Sequence, residues 1–516
     1  MASYVRSGTR VSDVATLTER AARAATGFAE LGIGPGDVVA VYLRNDFAFF
    51  EASAAAGLVG AYSTPANWHN SADEAAYVFQ NSGAKAIVIH ADLYHPIAHV
   101  IPEGTPVFIV ETPPEVISAY GLSADAARLP AGLPLWYDWL KTFPPKAKGP
   151  DEAPGSMIYT SGTTGHPKGV RRNPPTPEQA ANFPNMIARV MGYDKWAATP
   201  GDMVVLIPGP MYHSAPNAAG LVAFRLGTNI ILEPRFDPEE FLKSVETYRV
   251  THVHMVPTMF VRLLKLPEEI KRKYDLSSLR FIVHAAAPCP VHVKHAMIEW
   301  WGPIIHEYYG GTETGAVTFC NSEEWLKHPG TVGHALTGAL LRVVDERGQE
   351  LAQGATGEIV CRLTALPDFT YHGDDEKRRR AEKSPGLISL GDIGYLDDDG
   401  FLYLCDRAKD MVISGGVNIY PAEIEAELHK MPGLADCAVF GIPDEEFGEQ
   451  LCAVVQRQPG ADFGESDVRS FLRERIAGYK VPKRVEFRAE LPREDSGKIF
   501  KRKLREPFWE AAGRRI

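Results

Sequence analysis

Gly32-Ile33-Gly34-Pro35-Gly36-Asp37-Val38-Val39-Ala40-Val41-Tyr42-Leu43 reads as a helix stop running straight into an apolar strand. Upstream, Leu17, Ala21, Ala24, Phe28 and Leu31 recur at spacings of four and three, which places them on one face of an amphipathic helix. The glycines and Pro35 end that helix, and Val38 to Leu43 supplies consecutive apolar side chains, as in strands covered on both faces. The alternation continues with an alanine-rich helix near 47–60 and apolar runs at 86–89, 107–110, 203–207 and 229–232, spaced by helical segments. Short strands alternating with helices predict an α/β fold of parallel sheets with helices on both faces.

Two interruptions divide the chain. Residues 143–155, rich in proline, lysine and glycine, read as an exposed connector between subdomains. A second boundary falls near Asp406-Arg407-Ala408-Lys409 and separates residues 1–405 from 406–516. Beyond it come a helix over 421–430, apolar runs at 437–442 and 451–455, and a helix near 466–477. This tail of about 110 residues is long enough for a small α+β unit of its own. The run Glu376 to Lys383 mixes both charge signs and reads as a solvated helix face.

The chain has 516 residues, 45% hydrophobic and 23% charged, enough to bury the cores of about two to four structural units. Its net charge of −11 argues against nonspecific binding of nucleic acid or anionic membrane, so any phosphate-bearing ligand must be held locally. Six dispersed cysteines without a CxxC pair make no disulfide framework and are expected to be reduced. The N-terminus lacks an apolar signal region, and no stretch of about 18 uninterrupted apolar residues follows, so a soluble cytoplasmic protein is expected. His252 and His254 share one side of a strand, and His292 and His295 one face of a helix. No cysteine or acid completes a zinc set with either pair.

The chemistry concentrates in five segments. Tyr159-Thr160-Ser161-Gly162-Thr163-Thr164-Gly165-His166-Pro167-Lys168-Gly169 carries four small hydroxyl residues, three glycines and a lysine. Its glycines let backbone N–H groups approach an anion, the hydroxyls add donors and Lys168 adds charge, so it reads as a polyphosphate cradle. It is not a Walker loop, because Lys168 is preceded by proline and followed by glycine. Alone it leaves transferase, kinase and hydrolase open. Tyr309-Gly310-Gly311-Thr312-Glu313-Thr314-Gly315 offers an aromatic face for a base, a hydroxyl for phosphate and a carboxylate suited to Mg2+. Gly391-Asp392-Ile393-Gly394 places an acid in a tight turn, either capping the turn or accepting both hydroxyls of a ribose. Arg407 follows a predicted strand at 401–404 and can reach ribose or phosphate. Pro492 to Lys498 presents a lysine from a polar loop.

In this order the segments resemble the adenylate-forming enzymes, the family of acyl-CoA synthetases, beetle luciferases and nonribosomal-peptide-synthetase adenylation domains, over nearly the whole chain. The resemblance implies a large N-terminal domain of parallel α/β sheets with a β-barrel-like subdomain, followed by a small mobile α+β C-terminal domain. It also implies roles. Thr160, Ser161, Gly162, Thr163, Thr164, Gly165 and Lys168 correspond to the phosphate loop, and Tyr309, Gly310, Gly311, Thr312 and Glu313 to the Y-G-x-T-E motif. Thr164 and Glu313 become the Mg2+ side. Ala286, Ala287 and Pro288 fall beside adenine, Asp392 and Arg407 at the ribose, and Lys409 at the hinge. Lys498 is the catalytic lysine, His213 in Met211-Tyr212-His213-Ser214 a gate between acyl pocket and thiol tunnel, and Gly415 part of the pantetheine channel. The chain departs from the family pattern at His284-Ala285-Ala286-Ala287, at Leu390 and across Phe369 to Asp374.

The reaction so implied joins a carboxylic acid to coenzyme A with ATP and Mg2+, through an acyl-adenylate and with loss of pyrophosphate and AMP. Small residues at Gly310, Gly311, Ala285, Ala286 and Ala287 suggest room for a medium-to-long or ring-bearing acid. Val256-Pro257-Thr258-Met259-Phe260 is either an apolar pocket wall or plain core. A carrier-loading adenylation enzyme, a luciferase-like oxygenase and a noncatalytic nucleotide sensor are the other readings, and a homodimer is left open.

Overall fold

The computed structural model describes residues 3–150, 153–160, 167–196, 199–407, 410–414, 417–444, 447–493 and 499–511. The helix anticipated before the opening strand spans Val14–Glu30 and buries Leu17, Ala21, Ala24 and Phe28. Asp13 caps it by accepting from the Thr16 N–H at 2.7 Å. Leu31 leaves the buried face: the helix ends one residue earlier and Leu31 is 45% exposed. The strand Val38–Tyr42 sits inside a four-stranded parallel sheet ordered Tyr62–Pro65, Val38–Tyr42, Ala84–His90, Val107–Val110. All five residues of Val38–Tyr42 are buried, as the uninterrupted apolar run requires.

A second sheet has 14 strands. Its parallel half runs Tyr4–Ser7, Asn229–Leu232, Val204–Ile207, His252–Met255, Phe281–His284, Ile305–Gly311. At Gly315–Cys320 the pairing turns antiparallel and continues through Thr331–Ala335, Phe401–Arg407, Leu387–Leu396, Gly357–Leu363 and Ala339–Val344. The expected barrel-like subdomain is therefore a continuation of the large sheet. Among the described residues it closes no barrel, because Thr331–Ala335 joins it edge to edge with the parallel half and Ala339–Val344 pairs on one side only. Met259 and Phe260 are core residues against this sheet.

A three-stranded sheet, Ile158–Thr160, Lys168–Arg172 and Phe369–Tyr371, links the phosphate-loop segment to residues nearly 200 positions later, as the Arg172 to Pro367 separation of 195 illustrates. Residues 410–511 carry a five-stranded sheet and the helices Pro421–Leu428, Glu465–Arg473 and Lys501–Ala511. Their core gathers Val412, Ile424, Leu428, Val439, Val455, Val468 and Leu472. At the boundary, Asp406 Oδ2 accepts from the Ala422 N–H at 2.8 Å and so ties the end of the large sheet to the first turn of Pro421–Leu428. All six cysteines are free thiols. No helix among the described residues is long and apolar enough to cross a membrane.

Candidate active site

The phosphate-loop segment is a β-hairpin: Ile158 pairs with Val170, Tyr159 with Gly169 and Thr160 with Lys168. Gly169 is required there, since a Cβ would stand 2.9 Å from the Tyr159 ring. Tyr159 in turn donates its hydroxyl to Asn81 Oδ1 at 2.7 Å and fastens the hairpin to the first subdomain. The loop it closes, with Ser161, Gly162, Thr163, Thr164 and Gly165, lies outside the described residues. Lys168 at its base meets Asp374 Oδ2 at 3.0 Å, and this contact holds the Asp374 carboxyl below its ordinary range.

Arg172, four residues along the same strand, is a site residue that sequence reasoning missed. Its guanidinium donates to the carbonyls of Thr312, of Glu313 at 3.1 Å and of Pro367 at 3.0 Å. Three carbonyl acceptors on two loops lock the Glu313 turn to the hairpin. Burial lowers the Arg172 pKa to about 10, so the group stays charged at neutral pH. Glu313 Oε1 accepts from the Tyr371 hydroxyl at 2.9 Å, a contact placed by the third strand of the hairpin sheet.

Tyr309 and Asp392 are both buried, and the Tyr309 hydroxyl donates to Asp392 Oδ2 at 2.7 Å. Asp392 is not in a turn. It lies within the strand Leu387–Leu396, in register with Arg407, which ends its own strand rather than following it. Only the backbone of Arg407 is described, and Lys409, Gly415 and Lys498 lie outside the described residues. Thr312 Oγ1 donates to Ser214 Oγ at 3.1 Å, so the helix Ser214–Leu226 is attached to the same turn and His213, its N-cap, stands beside it.

The glycines of this turn carry a correction. A Cβ on Gly310 would lie 1.9 Å from the Gly315 carbonyl oxygen, so Gly310 is small because the hairpin backbone closes on it, not to widen a pocket. A Cβ on Gly311 would meet Leu390 at 3.0 Å and Glu313 Oε2 at 3.4 Å. On the adenine side, Ala285 is buried and contributes no wall, whereas Ala286 and Pro288 are exposed and Ala287 is half-buried. Ala286 has φ 74°, the left-handed region that disfavours a Cβ. Ala286→Gly is therefore expected to raise stability by roughly 0.5–1 kcal/mol, read as a higher urea midpoint. A lower midpoint would show that Ala286 carries no strain.

Beneath the two strands that bear these segments is a buried charge cluster. Lys294 Nζ meets Glu307 Oε2 at 2.5 Å, with Lys294 fully buried, and His284 Nε2 stands 3.5 Å from the same oxygen. Burial drives His284 well below its ordinary range, so it is neutral. His252 and His254 are likewise buried and pushed down to about 4.

Five segments distant in sequence thus converge through Arg172, Tyr309, Thr312 and Tyr371. Residues 5–366 match the model of the AMP-binding enzymes and residues 423–498 that of the AMP-binding enzyme C-terminal domain. The chain is 33% identical to a feruloyl-CoA synthase of an Amycolatopsis species over 514 residues, covering 98% of this chain and 96% of the relative. It is 30% identical to the fatty acid–[acyl-carrier-protein] ligase ScoC of Streptomyces coeruleorubidus, with 94% and 89% covered. The solved structure of ATP-bound MatB from Rhodopseudomonas palustris superposes with a TM-score of 0.83 at 28% identity, covering 98% of this chain and 96% of that one. The chain belongs to the AMP-binding enzyme family, within the adenylate-forming superfamily. Its relatives make it, more particularly, an AMP-forming acyl-CoA synthetase.

Proposed function

We propose that this enzyme activates a medium-to-long-chain or ring-bearing carboxylic acid as its acyl-adenylate and transfers the acyl group to coenzyme A. The observation that carries the reading is the convergence just described: hairpin, Glu313 turn, Asp392 strand and His213 cap are joined by direct hydrogen bonds. In the first half-reaction two anions, the carboxylate and the α-phosphate, must approach in line, so the chain's task is charge neutralisation and positioning. Asp392, oriented by Tyr309, would accept the ribose hydroxyls. Lys168 and the donors from Thr160 to Gly165 would hold the β- and γ-phosphates, and Lys498 would face the reacting centre.

The Glu313 side fits Mg2+. It offers a hard carboxylate in which Tyr371 orients Oε1, while Oε2 faces the space that the absent Gly311 Cβ leaves open. Bound there with Thr164, the ion would neutralise phosphate oxygens. For the second half-reaction we place a pivot at Lys409, between residues 1–405 and 406–516, bringing Gly415 toward the thiol route past His213. The cytoplasm suits six free thiols.

For the acid, the support is the open Ala286–Ala287 edge and relatives named for a feruloyl and a fatty-acid substrate. The ScoC likeness also favours a second reading, in which a separate carrier protein supplies the thiol. Pyrophosphate release across a panel of fatty, arylalkanoic and steroid-side-chain acids, with and without CoA, tests the proposal. Acid-dependent pyrophosphate together with CoA-dependent thioester is the expected result. Adenylate formation without transfer to CoA would move the acceptor to a carrier protein, and no pyrophosphate with any acid would overturn the reading.

A further inference from the structure

The helix Asp375–Ala381 has no buried residue and, by its mixed charge, was expected to turn wholly to water. Glu376, Arg379 and Arg380 do so. Lys377 does not: it is half-buried, and its Nζ lies 4.6 Å from the centroid of the Tyr371 ring. The hydroxyl of that same ring is bound to Glu313. Asp374, the residue before the helix, accepts the Lys377 N–H through Oδ1 at 3.1 Å and the Lys168 Nζ through Oδ2. Two lysines from different elements therefore flank one partly exposed carboxylate on the approach to Glu313. Burial lowers the Lys377 pKa, with the charges of Glu313 and Asp374 opposing the shift.

This placement has no packing purpose, because the helix buries nothing and a cation over an aromatic ring contributes only about 0.5–1 kcal/mol at such a site. The register that sets it is firm. Phe369, Thr370 and Tyr371 pair with Arg172, Arg171 and Val170, and the His372 N–H donates to the Gly169 carbonyl at 2.8 Å. A half-exposed ion pair such as Lys168–Asp374 is weak enough to exchange for a stronger anion. We propose that Lys377 is a second polyphosphate-binding cation of this enzyme, acting with Lys168 on the β- and γ-phosphates of ATP while Asp374 holds the two lysines apart. The inference rests on the ATP reading above and adds a residue from outside the phosphate loop to it.

The test is equilibrium binding by calorimetry of ATP and of AMP, each with Mg2+, to the full chain. Lys377→Ala is expected to weaken ATP by about tenfold or more while leaving AMP within about twofold, since only ATP carries the contacted phosphates. Lys377→Arg should restore most of the ATP affinity, and Arg379→Ala, on the exposed face of the same helix, should change neither ligand. Equal loss of ATP and AMP in Lys377→Ala would make the residue structural and overturn the proposal, as would unchanged ATP affinity. If the unsubstituted enzyme bound neither nucleotide, the ATP reading itself would fall, an outcome distinct from failure of the variant alone.

Discussion

Lys294→Ala is expected to destabilise the enzyme by about 3–5 kcal/mol, the cost of leaving a buried carboxylate without its cation. Lys294 reaches Glu307 from the helix Val291–Trp301, and both side chains are almost entirely removed from water. Its ammonium also lies 4.9 Å from the Trp325 ring centroid, so no water replaces it when the side chain is cut back. Burial already raises the Glu307 pKa, with Lys294 opposing the rise. Removing Lys294 drives the carboxyl further up, and a group whose folded pKa exceeds its unfolded value loses stability as pH rises between the two. The deficit should therefore be larger at pH 8 than at pH 5.5 in urea unfolding. The double substitution Lys294→Met with Glu307→Leu should recover most of it, because no unpaired charge remains. A loss below about 1 kcal/mol at pH 8 would place the pair in solvent-like surroundings. The pair also bears on function: Glu307 is two residues from Tyr309 on one strand, and His284 beside it ends the strand before Ala285-Ala286-Ala287.

Much of this architecture was legible because it is local. The period of Leu17, Ala21, Ala24 and Phe28 is a property of one helix, and the run Val38 to Tyr42 of one strand, so each could be read without knowing its neighbours. The segments around Tyr159, Tyr309 and Asp392 stood out for the same reason, their composition alone suiting a phosphate or ribose ligand. What escaped depends on register. Arg172 reaches Thr312 and Glu313, and Tyr371 reaches Glu313, only because Lys168–Arg172 pairs with Phe369–Tyr371, a pairing that no local pattern encodes. Lys377 was hidden by the same pairing inside an ordinary-looking charged run.

The glycines misled in a consistent direction. Gly394 beside Asp392 suggested a turn, but a Cβ there would stand 2.2 Å from the Tyr403 carbonyl oxygen, and Gly310 is confined in the same way. In both strands glycine marks the close approach of a neighbouring backbone, which sequence alone does not separate from turn-making freedom. Alternating apolar positions likewise say that a sheet is covered and leave open whether its last strand returns to the first. The barrel-like expectation rested on family resemblance alone and gave way to the linear strand order.

Lys498→Ala is expected to lower acid-dependent pyrophosphate formation by about 10²- to 10³-fold, equivalent to about 3–4 kcal/mol of transition-state stabilisation, while thioester formation from presynthesised acyl-adenylate stays near the unsubstituted rate. The asymmetry follows from charge. Adenylation brings a carboxylate onto an α-phosphate already bearing negative charge, and a cation at that centre acts most strongly as the new bond forms. Thiol attack on the adenylate occurs at a carbonyl carbon and leaves AMP, so it has no equivalent need for the same lysine. The chain around Lys498 is anchored for such a task. Arg493 and Ile499 are bridged, Leu491 and Leu504 are buried in one cluster, and Ile499 packs against it, so both ends of the lysine-bearing loop are tethered to the small domain's sheet. A rigid-body turn of that domain would withdraw the lysine without unfolding the loop. Single-turnover assays of the two half-reactions separate the possibilities. If both fall together in Lys498→Ala, the lysine serves a shared step or the fold of the small domain, and the division of labour between two domain orientations is wrong.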